Sequence, residues 1–204
     1  VIKAENFDYD KIKNILVAIG NVEIFDKKEN TTIKSKKITY FKNKELVFTD
    51  GKSKAITDGV IIDADNFVYN KISNIINANG NVKIDNIDEN YLIYTNDATY
   101  FKNKELFLTK GQSKAINESI VIDADDFKYN KISNIINANG NVKIKDTIND
   151  YLILTNKATY YKNSEKIITH GKTEAFIQSR YIINSKDVTY LHKKKILSSK
   201  HKTK

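Results

Sequence analysis

The sequence predicts an all-β repeat protein of about 14 strands, and three observations carry that prediction. A 60-residue period runs through the chain, apolar and polar residues alternate over stretches of nine, and no stretch worth naming repeats apolar residues at helical spacing. The period is plain by eye. "IIDADNFVYNKISNIINANGNVKI" from Ile61 recurs almost unchanged from Val121, and more loosely as "VIKAENFDYDKIKNILVAIGNVEI" from Val1. Inside each period lies a second, weaker copy, for which "LIYTNDATYFKNKELFLTKGQSKA" from Leu92 is typical. Tyr9, Tyr40, Tyr69, Tyr100, Tyr129, Tyr160 and Tyr190 therefore head seven repeats of about 30 residues, of two alternating types.

Each repeat divides into a strand, a short polar loop ("NKISN" or "FKNKE"), a longer strand and another loop. In the first type, Ile76, Ala78, Gly80, Val82 and Ile84 alternate with Asn77, Asn79, Asn81 and Lys83, the pattern of a half-buried strand. Leu16, Ala18, Gly20, Val22 and Ile24 repeat it, as do Ile136, Ala138, Gly140, Val142 and Ile144. The second type keeps the register with smaller residues, as in Phe107, Thr109, Gly111, Ser113 and Ala115, and again around Gly171. Upstream of the tyrosine, Ile62, Ala64 and Phe67 are spaced by two and then three, which places a β-bulge at Asp65-Asn66. Asn79-Gly80 alone reads as a hairpin turn, but Ile19 precedes the equivalent Gly20 and resists the positive φ such a turn needs. Gly80 is therefore expected inside a strand, on its apolar face, where the row of glycines either lets the long sheet coil and makes room for the Tyr and Phe rings or forms a low stripe along a concave surface. No composition shift divides the chain. One domain over 1–204 is expected, with repeat pairs at about 1–59, 60–119 and 120–179 and a final half at 180–204.

Composition narrows the function classes. With 40% hydrophobic residues the chain is expected to fold, and no apolar run of about 18 residues marks a membrane-spanning helix. Cys is absent, which removes disulfides and thiolate chemistry, and the absence of Met in a chain starting at Val1 points to a mature form or a fragment. The net charge is +9, yet Arg180 is the single arginine, so the basic excess reads as a solvated lysine surface rather than a nucleic-acid site. "DADNFVYN" at Asp63 has neither the glycine nor the closing glutamate of a calcium loop. His170, His192 and His201 lack metal-ligand spacing, and no nucleotide or catalytic motif is present, so neither an enzyme nor a cofactor is expected.

The recurring small–apolar–Tyr header, followed by Ala-x-Gly-Asn-Val-x-Ile, resembles the OstA-like family, the LptA and LptD N-terminal domains of lipopolysaccharide transport. "AIGNVEI" and the two copies of "ANGNVKI" carry the resemblance, which extends over essentially the whole chain. It implies a twisted antiparallel β-jellyroll folded over as a β-taco. Its apolar groove would shield lipopolysaccharide acyl chains in the periplasm or at the periplasmic face of the outer membrane. The groove positions it implies are the three alternating sets above with Phe107, Gly111 and Gly171. It also implies partners of the same kind, joined through edge strands near Ile2 to Tyr9 and Ile196 to Thr203, and an outer-membrane barrel in the same chain if this is an LptD-type domain. Two other readings stand beside it. A transmembrane β-barrel shares the alternation, although Trp is absent from where aromatic girdles would form. A β-solenoid surface or adhesion module shares the repetition, although these repeats alternate between 31 and 29 residues.

Overall fold

The computed structural model describes every residue except Ser179, Lys202 and Lys204. The chain is divided between two compact bodies, Val1–Lys104 and Glu105–Lys204. The N-terminal body holds β1 (Ile2–Lys3), β2 (Asn6–Asp10), β3 (Ile15–Asp26), β4 (Thr31–Phe41), β5 (Leu46–Asp50), β6 (Ser53–Thr57), β7 (Val60–Ala64), β8 (Asn66–Asn70), β9 (Ile75–Asn86) and β10 (Tyr91–Phe101). The C-terminal body holds β11 (Leu106–Lys110), β12 (Ser113–Asn117), β13 (Ile120–Ala124), β14 (Asp126–Asn130), β15 (Ile135–Asp146) and β16 (Tyr151–Tyr161). It continues with β17 (Lys166–Thr169), β18 (Lys172–Ile177), β19 (Tyr181–Lys186), β20 (Thr189–Leu191) and β21 (Ile196–Ser198).

Every assigned pairing within a body is antiparallel. The only helical pieces among the described residues are single 3₁₀ turns at Lys42–Lys44, Lys102–Lys104 and Lys162–Ser164. The count of 21 strands exceeds 14 for a local reason: each repeat breaks one of its two strands. The first type breaks the shorter strand at a bend, separating β7 from β8 at Asp65, where the expected bulge at Asp65-Asn66 is absent, and the second type breaks the longer one at its glycine, separating β5 from β6.

The long strands fold each sheet over on itself. In the N-terminal body the early half of β3 pairs with β2 and the late half of β4, whereas its late half pairs with β1 and the early half of β4. The same division recurs in β9, whose early half joins β8 and whose late half joins β7. Two half-sheets result, hinged along the middle of the long strands, with their apolar faces turned to one another. Tyr69, Tyr100, Phe67, Ile62, Ile76 and Ile84 fill the space between them in this body, each no more than 1% exposed. Tyr129, Tyr160, Tyr190, Phe107 and Phe127 fill it in the other, each no more than 2% exposed. Burying each such side chain contributes roughly 1.5–3 kcal/mol, so the repeating tyrosines and phenylalanines dominate the core.

Asparagine does much of the turning. Asn14, Asn74 and Asn134 close the first-type loops at φ 55, 55 and 53, a left-handed conformation that Asn tolerates better than most residues. Each then accepts a hydrogen bond from the repeat's own tyrosine hydroxyl, at 2.9 Å from Tyr9, 3.1 Å from Tyr69 and 3.4 Å from Tyr129. The abundance of Asn thus has a conformational basis.

Candidate lipid-binding interior

The hinge is built by the Gly-Asn pair, and here the structure corrects the sequence reading. Asn79 pairs with Asp97 and Val82 with Thr95, so Gly80 and Asn81 together face Asn96 alone. That is a β-bulge, with φ of 75° at Gly80 and 49° at Asn81. Gly20-Asn21 and Gly140-Asn141 repeat it. Regular alternation therefore does not run through Gly80. The left-handed pair lies one residue later than Asn79-Gly80, and it bends the strand without ending it. The same sheet position explains why Thr95 and Ala98, three apart on β10, both point inward.

The room left by the missing side chain is taken by an acid of the same chain. A Cβ on Gly80 would meet the Asp65 carboxylate at 2.3 Å, one on Gly140 the Asp125 carboxylate at 2.0 Å and one on Gly20 the Glu5 carboxylate at 2.3 Å. Each acid also accepts from the bulge asparagine, as in Asn81 Nδ2 to Asp65 Oδ2 at 2.8 Å. These glycines face a carboxylate clamp on the outside of the bend. Gly171 is exposed, with nothing within 4 Å of its Cβ direction. Gly111 is half-buried at φ 82.

The other groove positions are inward. Ala18, Val22 and Ile24 on β3, Ile76, Ala78, Val82 and Ile84 on β9, and Ile136, Ala138, Val142 and Ile144 on β15 are buried, as is Phe107 on β11; Leu16 is half-buried. Within each body these side chains touch protein rather than solvent. A space opens at the β1 end of the N-terminal body. A cavity of about 310 Å³ lies there, lined by Val1, Ile2, Ile24 and Phe25 from one half-sheet and Tyr40 and Val47 from the other, together with the charged Asp26, Lys27, Lys28 and Lys71. That volume is at the small end of the roughly 300–1,000 Å³ typical of ligand pockets.

Charged side chains guard its rim. Lys71 lies 3.0 Å from Glu45 and 3.4 Å from Asp26, tying the two half-sheets together. Burial alone would lower the Lys71 pKa, but Glu45, Tyr40 and Asp26 more than offset it and hold the ammonium above its ordinary value. Glu45 is held below its ordinary value by the Tyr40 hydroxyl and by Lys71. Further along the same edge, Asn74 donates to Glu29 at 2.6 Å, and Lys102 reaches Thr31 at 2.6 Å, the Glu29 carbonyl and Asp58.

In the C-terminal body, Asp146 plays the corresponding part. It accepts from the Tyr190 hydroxyl at 2.5 Å and Asn149 at 2.8 Å, and it lies 2.6 Å from His192 Nδ1. Burial would push the Asp146 carboxyl up, but the hydrogen bonds from Tyr190, Asn149 and His192 prevail and hold it at about 2.

A buried polar seam is the feature that sequence reasoning did not interpret. Thr49 and Ser53 are 2.6 Å apart, Thr109 and Ser113 2.6 Å, and Thr169 and Thr173 2.7 Å. Each threonine also accepts the backbone N–H freed by the break in the neighbouring first-type repeat: Phe67 at 2.6 Å, Phe127 at 2.8 Å and Val188 at 2.9 Å. The signal was present as the Thr-x-Gly-x-Ser/Thr pattern, which marks where second-type repeats replace apolar groove positions by hydroxyls.

No protein-family model matches the chain, and no curated protein does. Among solved structures, the crystal structure of LptH from Pseudomonas aeruginosa is similar at 16% sequence identity, over 69% of this chain and 81% of that one, with a TM-score of 0.29. That protein is described as the LptA-homologous periplasmic component of the lipopolysaccharide transport device. Among the described residues there is no cluster of three metal-ligating side chains and no helix long and apolar enough to cross a membrane.

Proposed function

We propose that this chain is a non-enzymatic, OstA-like carrier segment that shields the acyl chains of lipopolysaccharide on their way to the outer membrane, working in the periplasm or at the outer membrane's inner face. The observation that carries the reading is the apolar mouth at Val1, Ile2, Ile24 and Phe25, where two folded half-sheets built from the Ala-x-Gly-Asn-Val-x-Ile repeats part from each other. An acyl chain entering there leaves water for apolar surface, at about 0.8 kcal/mol per buried CH₂, and no bond is made or broken. Deeper passage requires the half-sheets to separate, because the inward positions are otherwise packed. Partners of the same kind, in an OstA-like row, or a barrel in the same polypeptide would join through strand edges.

The packed interior favours a second reading, a structural repeat module that binds nothing inside. Titration of the purified chain with fluorescent lipopolysaccharide in detergent-free buffer separates the two. Saturable binding that Phe25→Asp weakens at least ten-fold and Ile56→Asp leaves alone supports the carrier. Absence of saturable binding, or equal loss in both variants, supports the structural module; Phe25 and Ile56 are similarly exposed, but only Phe25 lines the mouth.

A further inference from the structure

The first-type loops hold isoleucine out in water. Ile12, Ile72 and Ile132, each the third residue after its repeat's tyrosine, are 95%, 74% and 71% exposed, whereas Ile76 and Ile136 in the strands that follow are no more than 1%. The tips are fixed by their own backbone. The N–H groups of Ile12 and Lys13 both donate to Asp10 Oδ1 at 3.0 Å, and those of Ile72 and Ser73 both donate to Asn70 Oδ1 at 3.0 Å. A side-chain-capped turn therefore carries each isoleucine outward.

Pairing register gathers these tips at one edge of the N-terminal body. Asp10, Ile15, Phe41, Leu46, Asn70 and Ile75 stand side by side across β2, β3, β4, β5, β8 and β9, so the loops beyond them leave the half-sheet together. Neighbouring loops are tied by backbone bonds, from Lys42 N–H to the Asn14 carbonyl at 3.0 Å, Lys71 N–H to Glu45 at 3.0 Å and Lys102 N–H to Asn74 at 3.1 Å. Ile12 and Ile72 lie four strand spacings apart along this edge, about 19 Å.

The edge is strongly basic. Segments 10–14, 42–45, 70–74 and 102–104 hold seven lysines against Asp10 and Glu45. Lys71 and Lys102 reach across the opening to Asp26 and Asp58, while Lys11, Lys13, Lys42, Lys44 and Lys104 are exposed around the isoleucines. The facing edge has the opposite balance: segments 26–30, 58–59 and 86–90 hold five acids against Lys27 and Lys28. In the C-terminal body, Ile132 repeats the tip, and the last first-type loop has Lys193 at the isoleucine position, followed by Lys194 and Lys195.

We infer that the basic edge of the N-terminal body docks on the surface of an anionic phospholipid bilayer, with Ile12 and Ile72 dipping below the headgroups and the surrounding lysines meeting the phosphates. Exposed apolar tips ringed by ammonium groups match that surface in both layers, apolar beneath and negative above. The acidic edge is kept away from it by the same charge. This inference goes beyond the carrier reading and does not rest on it.

The test is flotation of the purified full chain with vesicles of phosphatidylcholine alone or of equal parts phosphatidylcholine and phosphatidylglycerol, all free of lipopolysaccharide. The chain should float with the anionic vesicles only, and high salt should release it. Ile12→Asn combined with Ile72→Asn should weaken partitioning about ten-fold, and Lys42→Glu combined with Lys44→Glu about as much. Ile87→Asn, at a residue 60% exposed on the acidic edge, should leave it unchanged. All these positions are exposed, and circular dichroism checks that each variant keeps its strands. No flotation with anionic vesicles, or equal flotation with neutral ones, overturns the docking. Flotation that survives the isoleucine pair overturns the insertion, and an equal loss in Ile87→Asn overturns the choice of edge. An oligomer in lipid-free sedimentation that the isoleucine pair breaks up assigns the tips to a second copy instead. Phe25→Asp should float like the unaltered chain, which keeps failure of this inference distinct from failure of the carrier reading.

Discussion

Asp65, Asp125 and Glu5 each place a carboxylate where a side chain on the bulge glycine would stand. Gly140→Ala is therefore expected to cost more than Gly171→Ala. Both incur the left-handed backbone penalty of about 1–2 kcal/mol, but only the first must also displace Asp125. Equal losses in urea denaturation would contradict the clamp, as would an unchanged difference in an Asp125→Ala background. Asp146 gives a second residue-scale prediction. Its carboxyl is held at about 2 in the folded chain against an ordinary value of 3.8, so folding favours the ionised form. The associated stability is present above about pH 4 and is lost as pH falls toward 2, on the order of 2 kcal/mol. Asp146→Asn should flatten that limb of the stability–pH curve; a wild-type curve already flat between pH 4 and 2 would sink the assignment.

At the scale of the element, the second-type strands are defined by where their threonines point. Thr109→Val keeps the shape but leaves the Phe127 N–H buried without an acceptor, at an expected cost of about 1–3 kcal/mol. Ser113→Ala removes only one partner of a hydroxyl pair and should cost less. A reversed order in thermal denaturation would show that the seam is not organised around the backbone. The strands themselves were legible because period-two alternation survives in every copy, down to the inward set Ile76, Ala78, Val82 and Ile84. The bulge at Gly80-Asn81 was not, because a two-residue bulge that returns Val82 to the same face leaves the hydrophobic pattern unbroken. Only the pairing partner, with Thr95 and Ala98 three apart, exposes it, and the like spacing of Ala64 and Phe67 on the facing strand was read as a bulge at Asp65-Asn66 instead. Counting both spacings together would have located the hinge. The Asp65 clamp was beyond reach, since it joins residues that touch only once the sheet has folded over.

For the whole molecule, a row of tyrosine-headed repeats makes each body a folded sheet with a packed interior, and the N-terminal body has a mouth at Val1, Ile2, Ile24 and Phe25. Interior packing explains why the apolar groove positions were identified as inward yet pack against protein, while the glycines among them fall on the bend: alternation specifies which face is buried, not what it is buried against. Opening along the long edge would have to separate Lys71 from Asp26 and Asn74 from Glu29 in the N-terminal body. The most direct test of the carrier account is site-specific photo-crosslinking in cells that make lipopolysaccharide, with the photoreactive side chain placed at Phe25 in the mouth or at Ile56 on the outer face. The account predicts a lipopolysaccharide adduct at Phe25 and none at Ile56. A full-length, folded protein with no adduct at Phe25, or with equal adducts at both, would contradict it.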